Sequence, residues 1–275
     1  VEDNSAKQIF NASGTWNFVP HSNTILLQGN YNGISVLEKN GNTWKFKNKI
    51  KNFNYSSKHF EILHSNEVFV SHEYKGVFKF TIDNLLTKAS KVEKFNAPSK
   101  GKNASLVKFN DQIYYAYKEG VFIWNAKENK FQKNDVLSAI FVNDEYVTGK
   151  MVVDKSNKLW FFTKNYIHNF SSEKLSADLK KNSLPIPYSL TKSMTGYENI
   201  LQFYDNNYLI GTTDGYYVLN NDNFTFSNHK VTLFSISKNS INGKPTQVSL
   251  NENGVFEHDE NNLSFNFSVP EYDKY

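Results

Sequence analysis

EILHSNEVFVSHEYKGVFKF (61–80) is one of five copies of a single pattern in this chain. Each copy has an apolar strand, a Ser/Asn/Asp turn, a second apolar strand, a glycine turn and a third strand. The other copies are VPHSNTILLQGNYNGISVLE (19–38), LVKFNDQIYYAYKEGVFIW (106–124), MVVDKSNKLWFFTKNYIHNF (151–170) and LQFYDNNYLIGTTDGYYVL (201–219). Self-similarity at a fixed period indicates a repeat architecture, because one such unit cannot bury its own faces alone.

Two turns in each copy set the period of the repeat. The first-turn residues are Asn23, Asn66, Asp111, Asn157 and Asn206, and the second-turn residues are Gly33, Gly76, Gly120, Asn165 and Gly215. Corresponding turns follow one another at intervals of 43 to 50 residues, which suits a four-stranded propeller blade of about 40 to 50 residues. We therefore predict an all-β fold of five four-stranded β-propeller blades, either incomplete or part of a larger propeller.

The end of the chain departs from this pattern. After about residue 242 the paired turns stop, and Leu263, Phe265 and Phe267 alternate with polar residues, which predicts a strand with one buried face. We expect 243–275 to be the first strands of a β-sandwich. The predicted propeller then covers 1–242, with repeats at 10–53, 54–101, 102–148, 149–197 and 198–242.

The position of a strand within a blade is predicted by its apolar pattern. Second strands are continuously apolar, as in Val68-Phe69-Val70 and Leu159-Trp160-Phe161-Phe162, which indicates that both of their faces are covered. The outer strands are more polar, as a rim exposed on one side should be, and are predicted at 43–47, 91–96, 130–133 and 223–227. A β-helix or a sandwich would also supply short strands, but four strands per repeat with two tight hairpins favour a propeller.

Composition excludes several classes of function. There is no cysteine, so neither a disulfide framework nor a thiolate metal site exists. All 31 basic residues are lysine and the net charge is only +4, which argues against direct nucleic-acid contact because arginine supplies the bidentate fork for bases and phosphates. No stretch approaches the roughly 20 apolar residues of a membrane span, and no basic-then-apolar leader precedes Val1, so we expect this region to be soluble.

The repeats and the tail together resemble a known family of sensors. The order of turn, apolar strand, glycine and strand is similar to the two-component regulator propeller repeat, although Asn165 replaces the glycine in the fourth copy and the family's tryptophan remains clearly only as Trp160. NNLSFNFSVPEY (261–272) resembles the start of the triple-tyrosine (Y_Y_Y) domain. The resemblance implies the periplasmic sensor region of a Bacteroidota regulator, either a hybrid histidine kinase or a flavobacterial protein with a LuxR-type helix-turn-helix. It also implies an oligosaccharide or other small extracellular ligand, a homodimer in the full-length protein, and a membrane segment absent from this stretch.

No motif for catalysis or for a cofactor stands out. The seven histidines are scattered, and the pairs His64/His72, Asp111/Glu119 and Asp154/Asp205 are explained by their places in turns and strands. The Asn/Asp clusters at 205–207 and 220–223 suit Ca²⁺ but also suit hairpin turns. We predict no catalytic residue, no metal and no cofactor.

The ligand-binding candidates are three tyrosines around the segment 171–198. Tyr188, Tyr197 and Tyr204 surround what reads as the longest connection between blades, and long loops on a rigid scaffold are common binding sites. The favoured hypothesis is a non-catalytic extracytoplasmic ligand sensor. The alternative is a structural or protein-interaction propeller, and a less favoured one is a propeller hydrolase or lyase, which would need convergent titratable groups at the channel mouth.

Overall fold

The computed structural model describes residues 8–64, 66–96, 98–143, 145–172, 179–186, 194–220, 231–240, 243–250, 256–260 and 262–269. Two compact units divide the chain, 1–221 and 222–275. Helical structure in the described residues is confined to a short link after the third blade, where helix α1 (Asp135–Ser138) precedes a 3₁₀ turn. No helix in the part of the chain that the structure describes is long and apolar enough to cross a membrane.

The first unit consists of consecutive antiparallel sheets, and each sheet is one repeat of the sequence. Blade 1 contains β1 (Asn17–Ser22), β2 (Ile25–Asn30), β3 (Gly33–Asn40) and β4 (Thr43–Lys49), and blade 2 contains β5 (His59–Leu63), β6 (Glu67–His72), β7 (Gly76–Ile82) and β8 (Ala89–Phe95). Blade 3 contains β9 (Ser105–Phe109), β10 (Gln112–Tyr117), β11 (Gly120–Asn125) and β12 (Lys130–Asn134). Blade 4 contains β13 (Met151–Val153), β14 (Leu159–Phe162), β15 (Tyr166–Ser172) and β16 (Leu179–Pro185). The described part of blade 5 contains β17 (Ile200–Tyr204), β18 (Asn207–Thr212) and β19 (Gly215–Asn220). The all-β propeller-blade prediction is confirmed.

The two turns of each repeat lie where the sequence placed them. The first-turn residues join the first and second strands, and Gly33, Gly76, Gly120 and Gly215 begin the third strands with positive φ. At Gly33 φ is +108°, and an added Cβ would lie 2.3 Å from the carbonyl oxygen of Phe53. Glycine is therefore required there by both conformation and space.

The hydrophobic core lies between neighbouring blades. Along β6, Val68 and Val70 pack into a cluster shared with blade 1, whereas Phe69 packs into a cluster shared with blade 3. Along β14, Phe161 faces blade 3 and Trp160 faces blade 5. The second strands of blades 2, 3 and 4 thus pack against both neighbouring blades, as their continuous apolar runs predicted.

The connection at 171–198 was misinterpreted from the sequence, because it contains the fourth strand of blade 4. β16 pairs with the whole of β15, from Ser172 opposite Leu179 to Tyr166 opposite Pro185. The LKKNSLP segment looks like a loop because a rim strand carries few apolar residues, and proline is tolerated at the end of an edge strand. The long loop is therefore not a free connection between blades.

The second unit is built from a three-stranded sheet. In it β20 (Thr232–Asn239) pairs with β21 (Thr246–Val248) on one side and with β22 (Asn262–Ser268) on the other. The sequence analysis had assigned 232–239 to the fifth repeat, whereas the predicted outer strand at 223–227 lies outside the described residues. The expected buried face of β22 is wrong, since every residue of that strand is exposed. The described residues of 222–275 place no second layer over this sheet.

Substitution of Gly33 tests the fold. Gly33→Ala should lower the free energy of unfolding by about 3 kcal/mol, because backbone strain and overpacking each cost about 1–3 kcal/mol. Gly41→Ala is the matched control, since Gly41 also has positive φ (+60°) but no atom within 4 Å of an added Cβ, and it should cost about 1 kcal/mol. Urea unfolding followed by tryptophan fluorescence measures both, because all four tryptophans lie in the first unit. Equal losses of unfolding free energy in the two variants would contradict the close contact between Gly33 and the Phe53 carbonyl oxygen.

Candidate functional site

The first strands of the blades lie side by side and form the inner surface of the first unit. β1 contacts β5, β5 contacts β9, and β9 contacts β13. Ser105, the first residue of β9, joins two of these blades: its hydroxyl donates a 2.7 Å hydrogen bond to the carbonyl of Gly149 and accepts one of 3.2 Å from the backbone of Met151. The segments that enter the inner strands are therefore fixed against the preceding blade.

A cavity of about 190 Å³, here called the inner-strand pocket, lies where the inner strands begin. Its walls come from residues that start or immediately precede the first strands of blades 1, 2, 4 and 5. They are Trp16, Asn17, Lys58, His59, Lys150, Gly196, Tyr197, Glu198 and Asn199. Four blades thus contribute polar and aromatic side chains to one small cavity.

A second cavity of about 330 Å³, here called the hairpin pocket, adjoins the first. The two share Trp16, Lys58 and Tyr197. The hairpin pocket extends between the second turns of blades 1 and 2, where it adds Tyr31, His72, Glu73, Tyr74 and Lys102 to its walls. Aromatic rings therefore line much of the combined opening.

Lys58 stands between aromatic rings at the junction of the two pockets. Its Nζ lies 4.0 Å from the ring centre of Tyr197 and 5.8 Å from that of Trp16. The Trp16 ring in turn meets Tyr31 edge to face, with 4.7 Å between ring centres. These contacts hold the ammonium group over aromatic faces by cation–π attraction.

Glu198 is the buried carboxylate of the inner-strand pocket. Its Oε2 accepts a 2.9 Å hydrogen bond from the backbone N–H of Gly196, whose positive φ of 82° turns the chain before β17. Burial raises the pKa of Glu198, while hydrogen bonds from backbone groups and from Thr148 and the charge of Lys150 oppose that rise. The carboxylate is thus held in place by its own turn.

Lys150 and His59 face a common environment. Burial lowers the pKa of Lys150, the nearby charge of Lys58 lowers it further, and Glu198 and Glu61 act in the opposite direction. Burial lowers the pKa of His59 well below its usual value, and Lys150 and Lys58 add to the effect. His59 is therefore neutral near pH 7, whereas the two lysines carry the positive charge of the pocket.

A further cavity of about 680 Å³ lies at the other end of the inner strands. Glu61 reaches it from β5, two residues beyond His59 and therefore on the same face of the strand. Burial raises the pKa of Glu61 to about 7, and the backbone and charge of Lys108 limit the rise. His21, His64 and Asp111 also line this cavity. No group of three histidine or acidic side chains suited to a metal ion occurs among the described residues.

Of the three tyrosines predicted as ligand-binding candidates, the structure places one in the pockets. Tyr197 lines both pockets next to Lys58. Tyr204 is 67% exposed at the end of β17 and belongs to neither pocket. Tyr188 lies outside the described residues. Of the residues predicted as structural turns, Asp111 also lines two cavities at the first-turn end.

Two of the three residue pairs considered from the sequence are separated by a strand. His64 lies before the start of β6 and His72 is its last residue. Asp111 precedes β10 and Glu119 follows it. Asp154 has a structural role, because its Oδ2 accepts hydrogen bonds from Trp160 Nε1 at 2.8 Å and from the Tyr208 hydroxyl at 3.0 Å. In the first Asn/Asp cluster, Asp205 and Asn206 form the β17–β18 turn. In the second cluster, 220–223, positions 221–223 lie outside the described residues.

The sequence analysis missed Lys58, His59, Lys150 and Glu198. Their only signal is position at the entrance to an inner strand: Lys58 and His59 stand at the start of β5, Lys150 immediately before β13, and Glu198 two residues before β17. Aligning the repeats by their first strands would have brought Lys58 and Lys150 into register. A polar residue before a strand carries no chemical signal by itself.

Glu61→Gln tests the burial of this carboxyl. The raised pKa means that Glu61 contributes stability fully below its usual pKa of 4.5 and loses that contribution as the pH rises through about 7. Glutamine keeps the shape of the protonated acid without titrating. We expect equal urea midpoints for wild type and E61Q near pH 4, and a higher midpoint for E61Q at pH 8. Glu119→Gln, in an exposed turn, is the control, and a pH-independent effect of E61Q would contradict the assignment.

Comparison with known proteins identifies similar folds but no family. No protein-family model matches the chain, and no curated protein is similar to it in sequence. The fold resembles the extracellular domain of BT4673 from B. thetaiotaomicron, described as a one-component system, with a TM-score of 0.52 and 18% identity over 80% of this chain and 29% of that one. It also resembles the extracellular domain of BT3049 from the same organism, described as a hybrid two-component system, with a TM-score of 0.53 and 14% identity over 93% of this chain and 35% of that one.

Those two matches show that the chain shares its fold with part of each extracellular domain. The chain spans about a third of the length of either structure. A Bacteroides fragilis protein described as a 6-phosphogluconolactonase also matches, with a TM-score of 0.46 and 12% identity over 96% of this chain and 91% of that one.

Proposed function

We propose that this chain is a non-catalytic, extracytoplasmic ligand-sensing region of a signal-transduction receptor. The observation that carries the proposal is the inner-strand pocket, to which four blades contribute polar and aromatic side chains. The adjoining hairpin pocket has a volume in the usual range for small-molecule sites, about 300–1,000 Å³. The likeness of the fold to extracellular domains of one-component and hybrid two-component systems supports it.

An oligosaccharide is the ligand class that suits these walls. Trp16, Tyr31 and Tyr197 offer flat apolar surfaces, while Asn17 and Asn199 offer amide groups for hydroxyls. Few but well-placed polar groups beside aromatic faces are typical of a small-molecule site. The ligand would be bound at the surface where several blades meet rather than within one blade.

Signalling would follow from a shift in population. A ligand that contacts residues of several blades stabilises the arrangement in which those blades are correctly placed, and it shifts the equilibrium by its differential affinity for that arrangement. In the proposed receptor, a homodimer, the change passes through a sandwich domain and a membrane helix to a cytoplasmic output. The output is a LuxR-type helix-turn-helix or a histidine kinase.

A propeller hydrolase or lyase is less well supported by the arrangement of the carboxylates. Glu198 lines the inner-strand pocket, whereas Glu61 lines the cavity at the other end of β5. An acid/base pair needs two carboxyl groups on either side of one bond. These two groups face different cavities, so they do not form such a pair.

A protein-binding propeller is the second candidate function. Leu201, Leu209 and Val218 are cross-strand neighbours on one face of blade 5. Leu201 and Val218 are 54% and 58% exposed. Exposed apolar patches of this kind mark protein contacts, and co-purification of a partner with an unresponsive pocket would favour this function.

Two tyrosine variants test the site. Tyr197→Ala removes the ring beneath Lys58 and a wall of both pockets, so we expect oligosaccharide affinity to fall at least about tenfold, equivalent to about 1.4 kcal/mol. Tyr204→Ala is the matched control, because Tyr204 is exposed and lines neither pocket. Thermal-shift titration with an oligosaccharide panel finds the ligand, and calorimetry then measures the affinities. Equal losses of oligosaccharide affinity in the two variants would contradict binding in the pocket.

A further inference from the structure

Two ammonium groups in the inner-strand pocket have no anionic partner. Lys58 and Lys150 are both half-buried and line the same cavity of about 190 Å³. Within the described ranges, the side chain of neither lysine forms a hydrogen bond or an ion pair within 4.0 Å, in contrast to the paired Lys47, Lys79 and Lys238. The Nζ of Lys58 lies over the rings of Trp16 and Tyr197.

The nearby carboxylates offset only part of this charge. Glu198 lies in the same pocket, but its Oε2 is engaged by the backbone N–H of Gly196 at 2.9 Å. Glu61 is close enough to influence Lys150 electrostatically but opens into the cavity at the other end of the strand. In the hairpin pocket Lys102 and Glu73 are of opposite sign. The inner-strand pocket therefore holds two lysines against one carboxylate.

This excess of positive charge determines what the pocket can bind well. A half-buried cation without a partner has lost part of its hydration, and the two lysines also repel each other. Burial and Lys58 together lower the pKa of Lys150, which is the electrostatic consequence of that arrangement. An anion placed between the two groups would relieve both effects at once.

We propose that the sensed ligand is an acidic sugar, whose carboxylate is held between Lys58 and Lys150 while its ring lies against Tyr197 and Trp16. This inference rests on the proposed function and specifies its ligand class. A sugar ring presents apolar C–H faces to aromatic rings, and a uronate carries its carboxylate at the edge of that ring. Lysine suits a single carboxylate as a compact point charge that approaches from either side.

Calorimetry of the 275-residue chain with two matched trisaccharides tests the ligand class. The acidic probe is trigalacturonate and the neutral probe is galactotriose, both at pH 7. We expect trigalacturonate to bind at least about tenfold more tightly, because hydrogen bonds between charged groups contribute more than those between neutral groups. Its affinity should also fall as the salt concentration rises.

Three lysine variants assign the binding to the pocket. Lys58→Met and Lys150→Met should each weaken trigalacturonate binding at least about tenfold. Lys94→Met, on the exposed outer strand β8, is the control and should leave the affinity unchanged. Lys150→Met should in addition raise the melting temperature of the unliganded protein, because it removes a half-buried charge without a partner. That gain also shows that any loss of binding does not come from unfolding.

The outcomes separate this inference from the proposed function. Preferential binding of the uronate, lost in K58M and K150M, supports both. Equal binding of the two trisaccharides, or uronate binding unaffected by either variant, overturns the acidic-sugar inference and leaves a sugar sensor. A folded protein that binds neither trisaccharide, nor any sugar in the oligosaccharide panel, overturns the proposed function as well.

Discussion

The burial of the second strands on both faces is the constraint on which the rest of the first unit depends. Residues that alternate along β6, β10 and β14 pack against opposite neighbours, so the central strands of blades 2, 3 and 4 each belong to two hydrophobic clusters. Fully burying one such side chain contributes about 1.5–3 kcal/mol. Moving any of these three blades would expose apolar surface on both of its sides, and the spacing between them is fixed as a result.

The inner-strand pocket follows from this spacing. Each chain segment that enters an inner strand crosses close to the preceding blade: a Cβ on Gly149 would lie 2.1 Å from the carbonyl oxygen of Ala116, and one on Gly29 would lie 2.0 Å from that of Ser57. The residues just before the inner strands are thereby brought together although they are far apart in sequence. Lys58, Lys150 and Glu198 come from three different repeats and meet in one cavity.

The sequence predicts the blades well because their signals are local. Continuous apolar runs, turn residues and glycines at positive φ each act within a few residues, and they place β1–β15 and β17–β19 correctly. The strand β16 was missed because LKKNSLP has neither an apolar run nor a turn signal. The strand β22 was predicted, but its buried face was wrong because alternation predicts two different faces of a strand and not what covers either of them.

The pocket was largely unpredictable for a related reason. Tyr197 was selected from its place near a supposed long loop, and it does line the pocket, but Lys58 and Lys150 look like any solvated lysine of a strand surface. Their lack of ion-pair partners becomes visible only when the blades are packed. The two lysines differ from other surface lysines only in their surroundings, and those surroundings are contributed by repeats that are distant in sequence.

Amide hydrogen exchange with saturating trigalacturonate tests the central claim most directly, because it locates binding without any substitution. The account predicts slower exchange in the segments that enter the inner strands, at 14–18, 56–60, 147–151 and 194–200, and no change at the first turns near Asn23, Asn66 and Asp111. Protection confined to the first turns, or to the exposed face of blade 5, would contradict the placement of the binding site in the inner-strand pocket.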